Sequence, residues 1–178
     1  MAATKRSISG DALAAVVSSS AETEQGLRID FRLSNSASRA LHYVAEPRGV
    51  TYDSVSGRLT VRLNDIGREL IPGAARVRPT TRFVEPGATV EASVVVPAEI
   101  TRLVPSPDGD VSKVAFETIR VADAMAISVE IAWADTPYYE DTRTTKRDVF
   151  PSVAWQQHMV TGVLEKETRT KKPGSRGT

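Results

Sequence analysis

Cysteine is absent from this chain, and its absence removes several chemistries at once. A disulfide framework, a thiolate nucleophile, a Cys-ligated zinc site and iron–sulfur ligation all require thiols. Histidine is nearly as scarce, because only His42 and His158 occur and neither lies in an H-x-H or H-E-x-x-H spacing. We therefore expect no metal site, and stability that comes from packing alone.

Catalytic and membrane signals are missing as well. The sequence has no G-x-S-x-G elbow, no Ser-x-x-Lys pair and no glycine-rich phosphate loop. The neighbouring carboxylates Glu140 and Asp141 would point to opposite faces of a strand, which disfavours joint acid–base work. No run approaches the ~18 apolar residues of a membrane span. We expect no catalytic residue, no cofactor, no small-molecule ligand and no membrane insertion.

Charge of either sign is not in excess, with 23 basic and 22 acidic residues. No chain-wide field would recruit nucleic acid, which is the least favoured partner. The basic segment Lys166–Thr178 contains a single acid, Glu167, and is predicted to be a solubilising tail or an electrostatic tether. The apolar run Ala12–Val17 is too short for a signal peptide, so we predict a cytoplasmic protein.

What the sequence does contain is apolar residues at every second position. In Ala126–Ala134, Ile127, Val129, Ile131 and Trp133 share one phase, which is typical of a β-strand with a buried face. Other predicted strands are Leu27–Leu33, Leu41–Val44, the Val50–Leu63 hairpin, a second hairpin of Arg76–Val84 and Val90–Val96 around Glu85-Pro86-Gly87, and Val114–Val121.

Three segments are less clear. Asp11–Ser20 and Val153–Leu164 each fit a short helix or a strand, and we favour a strand in both. We expect Pro97–Pro107 to be an irregular connection with at most one helical turn. The whole pattern predicts an all-β protein, an antiparallel immunoglobulin-like β-sandwich of about eight strands with long loops and little helix. Residues 1–10 are a flexible leader in this interpretation, residues 11–165 the single domain and residues 166–178 the basic flexible tail.

Two segments resemble the immunoglobulin-like sandwiches of bacterial intracellular proteins, including the intracellular proteinase inhibitors of the BsuPI type. Leu27–Asn35, continuing to Val44, is similar to their strand, Asn turn and strand. Phe83–Val96 is similar to their strand, Pro-Gly turn and valine-rich return. The resemblance implies a sandwich that binds through loops or an exposed edge.

The most suggestive functional cluster lies in the polar segment Asp135–Asp148. It consists of two tyrosines followed by three basic residues: Tyr138, Tyr139, Arg143, Lys146 and Arg147. Tyr and Arg dominate protein interfaces. We predict a non-catalytic module that binds protein or self-associates through this loop, an edge strand, or both. The alternatives are a proteinase-inhibitor-like protein and a ligand-binding or enzymatic sandwich with a Tyr/His-lined pocket.

Overall fold

The computed structural model describes residues 12–64, 79–105, 114–135 and 158–166, which form three β-sheets. The strands are β1 (Leu13–Thr23), β2 (Gly26–Asn35), β3 (Leu41–Val44), β4 (Gly49–Asp53), β5 (Arg58–Leu63), β6 (Thr81–Val84), β7 (Thr89–Val96), β8 (Glu99–Pro105), β9 (Val114–Arg120), β10 (Ala126–Ala134) and β11 (His158–Glu165). The prediction of an all-β protein is confirmed, but these ranges hold eleven strands rather than about eight. They contain no helix long and apolar enough to cross a membrane.

The first sheet has the order β1-β2-β7, and both of its pairings are antiparallel. Its central strand β2 alternates as predicted, with Leu27, Ile29, Phe31 and Leu33 buried. Arginines and an aspartate occupy the opposite phase and face solvent. One face of this sheet therefore belongs to the core and the other to water.

The second sheet is organised around β10. Along one edge, β10 pairs with β11 from Ala126 opposite Glu165 to Trp133 opposite His158. A strand has only two edges, and Trp133 also pairs with Tyr43, so β5 and β3 must share the other edge. The pairing of β5 with β10 is parallel, which corrects the expectation of a purely antiparallel protein.

The composition of β10 suits this central position. Ile127, Val129 and Ile131 are fully buried on one face, as their spacing predicts. The opposite phase is also shielded and carries mostly small residues, with Ser128 only 4% exposed. A strand buried on both faces lacks a strict polar alternation, which marks it as the middle of a sheet.

The two larger sheets share one hydrophobic core. They approach each other closely at Gly162 of β11, where a Cβ atom would lie 3.1 Å from the backbone nitrogen of Val17 and 3.3 Å from the carbonyl carbon of Ala15. Glycine suits this position because a Cβ atom would crowd the backbone of β1. The sheets therefore pack with β1 against the inner face of β11.

The second predicted hairpin is wrong. The turn itself is present, since Ala88 N–H donates to Glu85 O at 3.0 Å and Gly87 has a φ of 69°. However, β6 pairs with β3, and β7 pairs with β2 in the other sheet. A Pro-Gly turn reverses the chain in either case, and here it carries the chain between sheets.

The interpretation of Pro97–Pro107 is also wrong, because Glu99–Pro105 is strand β8. The two ambiguous segments are strands where the structure describes them. β1 runs from Leu13 to Thr23 with a bulge between Val17 and Ser19, and β11 runs from His158 to Glu165. The predicted tail begins at Lys166, whose backbone nitrogen donates to Met125 O at 2.9 Å.

Candidate protein-interaction site

A two-stranded ribbon stands apart from the two larger sheets. β8 and β9 pair only with each other among the described strands, from Glu99 opposite Arg120 to Pro105 opposite Val114. The ribbon is attached at its base, where Val121 N–H donates to Ala98 O at 2.9 Å. An ion pair of 3.0 Å between Arg120 and Glu22 also links the base to β1.

The two faces of the ribbon differ. The inner face carries half-buried apolar residues, of which Ile100 packs against the core, and a 2.6 Å ion pair between Arg102 and Glu117. Every side chain of the outer face is exposed. The inner face of the ribbon is therefore turned toward the two larger sheets, and its outer face is exposed to solvent.

The outer face is apolar away from the base. Leu103 lies directly opposite Phe116, and Pro105 lies opposite Val114. Leu103 is 61% exposed, Val114 63% and Phe116 75%. Nearer the base, the same face is polar. A cluster of exposed large apolar side chains with a polar border is the composition of a protein contact surface.

We refer to Leu103, Pro105, Val114 and Phe116 as the ribbon patch. Its register is set by the β8–β9 ladder, so the four side chains are held together by backbone pairing rather than by burial. Sequence reasoning missed the patch. The available signal was the alternation of Ile100, Arg102 and Val104, but alternation alone does not show which phase faces solvent.

The predicted site residues Tyr138, Tyr139, Arg143, Lys146 and Arg147 lie outside the described residues. The same is true of Glu140, Asp141 and the second tryptophan, Trp155. Trp133 is buried, as predicted for a core residue, at 4% exposure. Its ring stacks on His158 with centroids 4.5 Å apart and an interplanar angle of 25°.

The two histidines lie on opposite faces of the second sheet. His158 is opposite Trp133 and His42 is opposite Ala134. Because Trp133 and Ala134 are consecutive, their side chains point in opposite directions, and so do those of the two histidines. One pocket lined by both histidines is therefore incompatible with this register.

His42 has an aromatic neighbour and two nearby acidic residues. Its ring lies 5.9 Å from that of Phe83. Burial lowers the pKa of His42, while the nearby charges of Asp135 and Glu85 oppose that shift. Among the residues described, no three His, Asp or Glu side chains are grouped as a metal site would require.

Comparison with known proteins gives no relative. No family model, no curated protein and no solved structure matches this chain. The ribbon patch and the unpaired edges of the sheets are therefore the structural features that bear on function.

Proposed function

We propose that this protein is a non-catalytic module that binds or assembles with protein, and that the ribbon patch is a contact surface. The observation that carries the proposal is the exposure of Leu103 and Phe116 on adjacent strands of a free-standing ribbon. Burying a side chain of this size stabilises a complex by about 1.5–3 kcal/mol. Two neighbouring residues could therefore supply a substantial part of a binding free energy.

The isolation of the ribbon supports the same conclusion. A two-stranded sheet on its own is only marginally stable in water. Here the inner face is supported by the body through Ile100, whereas the outer face has no covering element among the described residues. A protein partner laid on the outer face would cover the apolar residues and stabilise the ribbon.

The ribbon also fits the edge-strand version of the expectation from sequence. Both β8 and β9 are edges of their small sheet within the described ranges. Pro105 cannot donate a backbone hydrogen bond, so β9 is the edge better suited to accept a strand. That the Asp135–Asp148 loop is a second protein contact remains a prediction from the sequence.

The wider assignments are proposals too. We infer an immunoglobulin-like sandwich, supported by two facing sheets around one core. A cytoplasmic location is supported by the absence of cysteine. Inhibition of proteinases rests on the BsuPI-type resemblance alone, and the opposite orientation of His42 and His158 disfavours a Tyr/His-lined pocket.

The test removes the apolar surface of the ribbon without touching the core. The variant carries Leu103→Ser and Phe116→Ser, and the matched control carries Val16→Ser and Phe83→Ser, which are 53% and 54% exposed elsewhere. Each protein is used to capture partners from a lysate of the cells that naturally produce it. Affinity for a partner captured by the wild type is then measured.

The ribbon variant should bind that partner at least about tenfold more weakly, which corresponds to 1.4 kcal/mol. The control should bind like the wild type, and both variants should keep the wild-type circular dichroism spectrum. Equal binding by the ribbon variant and the wild type would exclude the ribbon patch as the contact.

A further inference from the structure

A second surface of the molecule is the outer edge of β7. This strand closes the first sheet, and β2 is its only partner among the described strands. Every second residue of an edge strand directs its N–H and C=O groups away from the sheet. Within the described ranges, β7 therefore offers an unpaired ladder over Thr89–Val96.

Natural edge strands are usually protected, and β7 has little of this protection, since Glu91 is its one charged residue. Its eight residues contain no lysine and no proline, and its pairing with β2 has no bulge. By contrast, β1 at the other edge has a bulge after Val17, and β4 and β6 have only five and four residues. β7 is a regular strand open to pairing.

The inner face of β7 is incompletely covered. Phe31 and Leu33 of β2 are 1% and 0% exposed, whereas their partners Ala92 and Val90 on β7 are only partly buried. The difference follows from position, because one side of an edge strand has no neighbour. A further strand beside β7 would cover Val90 and Ala92.

We infer that β7 pairs antiparallel with β7 of a second copy of this chain, about a two-fold axis at Ala92, so that the two three-stranded sheets become one. This contact is distinct from the ribbon patch and involves none of its residues. A two-fold contact requires a strand that is complementary to itself.

The sequence of β7 meets that requirement. With Ala92 opposite Ala92 of the second copy, Val90 lies opposite Val94 on the core face. On the solvent face Thr89 lies opposite Val95, and Glu91 lies opposite Ser93. Glu91 Oε1 already accepts from Arg32 of β2 at 2.8 Å, and Ser93 can donate a hydrogen bond to its other oxygen. Apolar residues meet apolar ones on the core face, and no like charges meet.

The neighbouring registers are less favourable. Centring the axis on Glu91 would place two carboxylates directly opposite each other, which destabilises a strand pair. Centring it on Ser93 would place Glu91 opposite Val95 and bring Thr89 opposite Pro97, which cannot donate to the ladder. The Ala92 register avoids both defects.

The absence of cysteine makes the register directly testable. In the Ala92→Cys variant, the only two thiols of the dimer would face each other across the axis. Directly opposite Cα atoms in an antiparallel pair lie about 4.5–5.5 Å apart, within the range that a disulfide spans. Mild oxidation should convert most of this variant into a covalent dimer on a non-reducing gel.

The control is Val95→Cys on the same strand. Val95 lies opposite Thr89 of the second copy, so its two copies are separated by six residues, or about 20 Å along the strands. This position is 40% exposed, so its thiol is accessible to the oxidant and only its distance from the second copy prevents a disulfide. It should therefore remain monomeric on the gel.

Two further measurements do not depend on a substitution at Ala92, which could itself disturb the fold. Glu91→Cys and Ser93→Cys both lie on the solvent face, and their proteins should cross-link with each other when mixed. Size-exclusion chromatography with light scattering should give the wild type twice the mass of one chain. A monomeric wild type, or cross-linking of Val95→Cys as strong as that of Ala92→Cys, would overturn the inference.

The two proposals fail separately. The ribbon variant with Leu103→Ser and Phe116→Ser should still form the Ala92→Cys cross-link if only the ribbon contact is lost. Loss of the cross-link in that background would mean that the ribbon, and not the β7 edge, holds the copies together.

Discussion

Gly162 lies where β11 packs closely against β1 of the other large sheet. We predict that Gly162→Ala lowers the free energy of unfolding by about 1–3 kcal/mol, because its Cβ would press on the backbone of Val17 and force β1 away. Gly49→Ala is the control, since nothing lies within 4 Å of a Cβ there. Urea denaturation of both variants measures the difference, and equal midpoints would show that β1 yields without cost.

His42 should make stability depend on pH. Burial lowers its pKa in the folded protein, while the unfolded chain takes up its proton near the ordinary value of 6.5. Between the two pKa values the unfolded state binds more protons, so the free energy of unfolding should fall as pH is lowered below about 6.5. The negative charges of Asp135 and Glu85 limit the size of the effect.

The measurement is the free energy of unfolding between about pH 5 and pH 8 for the wild type and for His42→Gln. The variant should lose part of the decline at low pH. The pKa of His42 can be read directly by NMR, with the spectrum of His158→Gln assigning its signal. A His42 pKa at or above 6.5 would contradict the prediction.

Individual strands were predictable where one face is buried. The alternation in Leu27–Leu33 correctly predicts β2, since period two reports burial on one side. The same spacing of large apolar residues predicts β10, although the structure buries both of its faces. Asn35 ends β2 and supports the turn that follows, because its Oδ1 accepts from Ala37 N–H and its amide donates to Arg39 O, each at 2.8 Å. Local pattern and local geometry agree in these elements.

Pairing between strands was less predictable. The parallel contact of β5 with β10, and the separation of β6 from β7, depend on residues far apart in sequence. β8 was missed because prolines at 97 and 105 bracket it and suggest a loop. The ribbon patch was missed for a different reason, because apolar residues on an exposed face cannot be distinguished from core residues by their spacing in the sequence.

The predicted loop at Asp135–Asp148 can be tested as an element of its own. Replacing Tyr138 and Tyr139 with alanine should weaken association about tenfold or more, because aromatic anchors supply much of an interface free energy. The thermal unfolding midpoint should not change if the tyrosines act only in binding. Phe83→Ala, which removes an exposed aromatic residue elsewhere, is the control. Unchanged association in the double variant would reject the loop as a contact.

The molecule as a whole should unfold as one unit, because one hydrophobic cluster connects the two larger sheets. Phe31 in the first sheet and Trp133 in the second belong to that cluster, at 1% and 4% exposure. Phe31→Ala should cost about 3–5 kcal/mol, as a large cavity in a core does. The fluorescence of Trp133 is measured in a Trp155→Phe background. It should report the full loss of unfolding free energy, although Phe31 lies in the other sheet.

Phe83→Ala again supplies the matched comparison, because it removes the same side chain from a position that is 54% exposed. Its effect should stay within about 0.5 kcal/mol, the usual range for surface substitutions. Circular dichroism and Trp133 fluorescence should give coincident urea transitions for both variants. If Phe31→Ala shifted the circular dichroism transition but left the Trp133 transition in place, the sheets would unfold independently, and the shared core would not couple them.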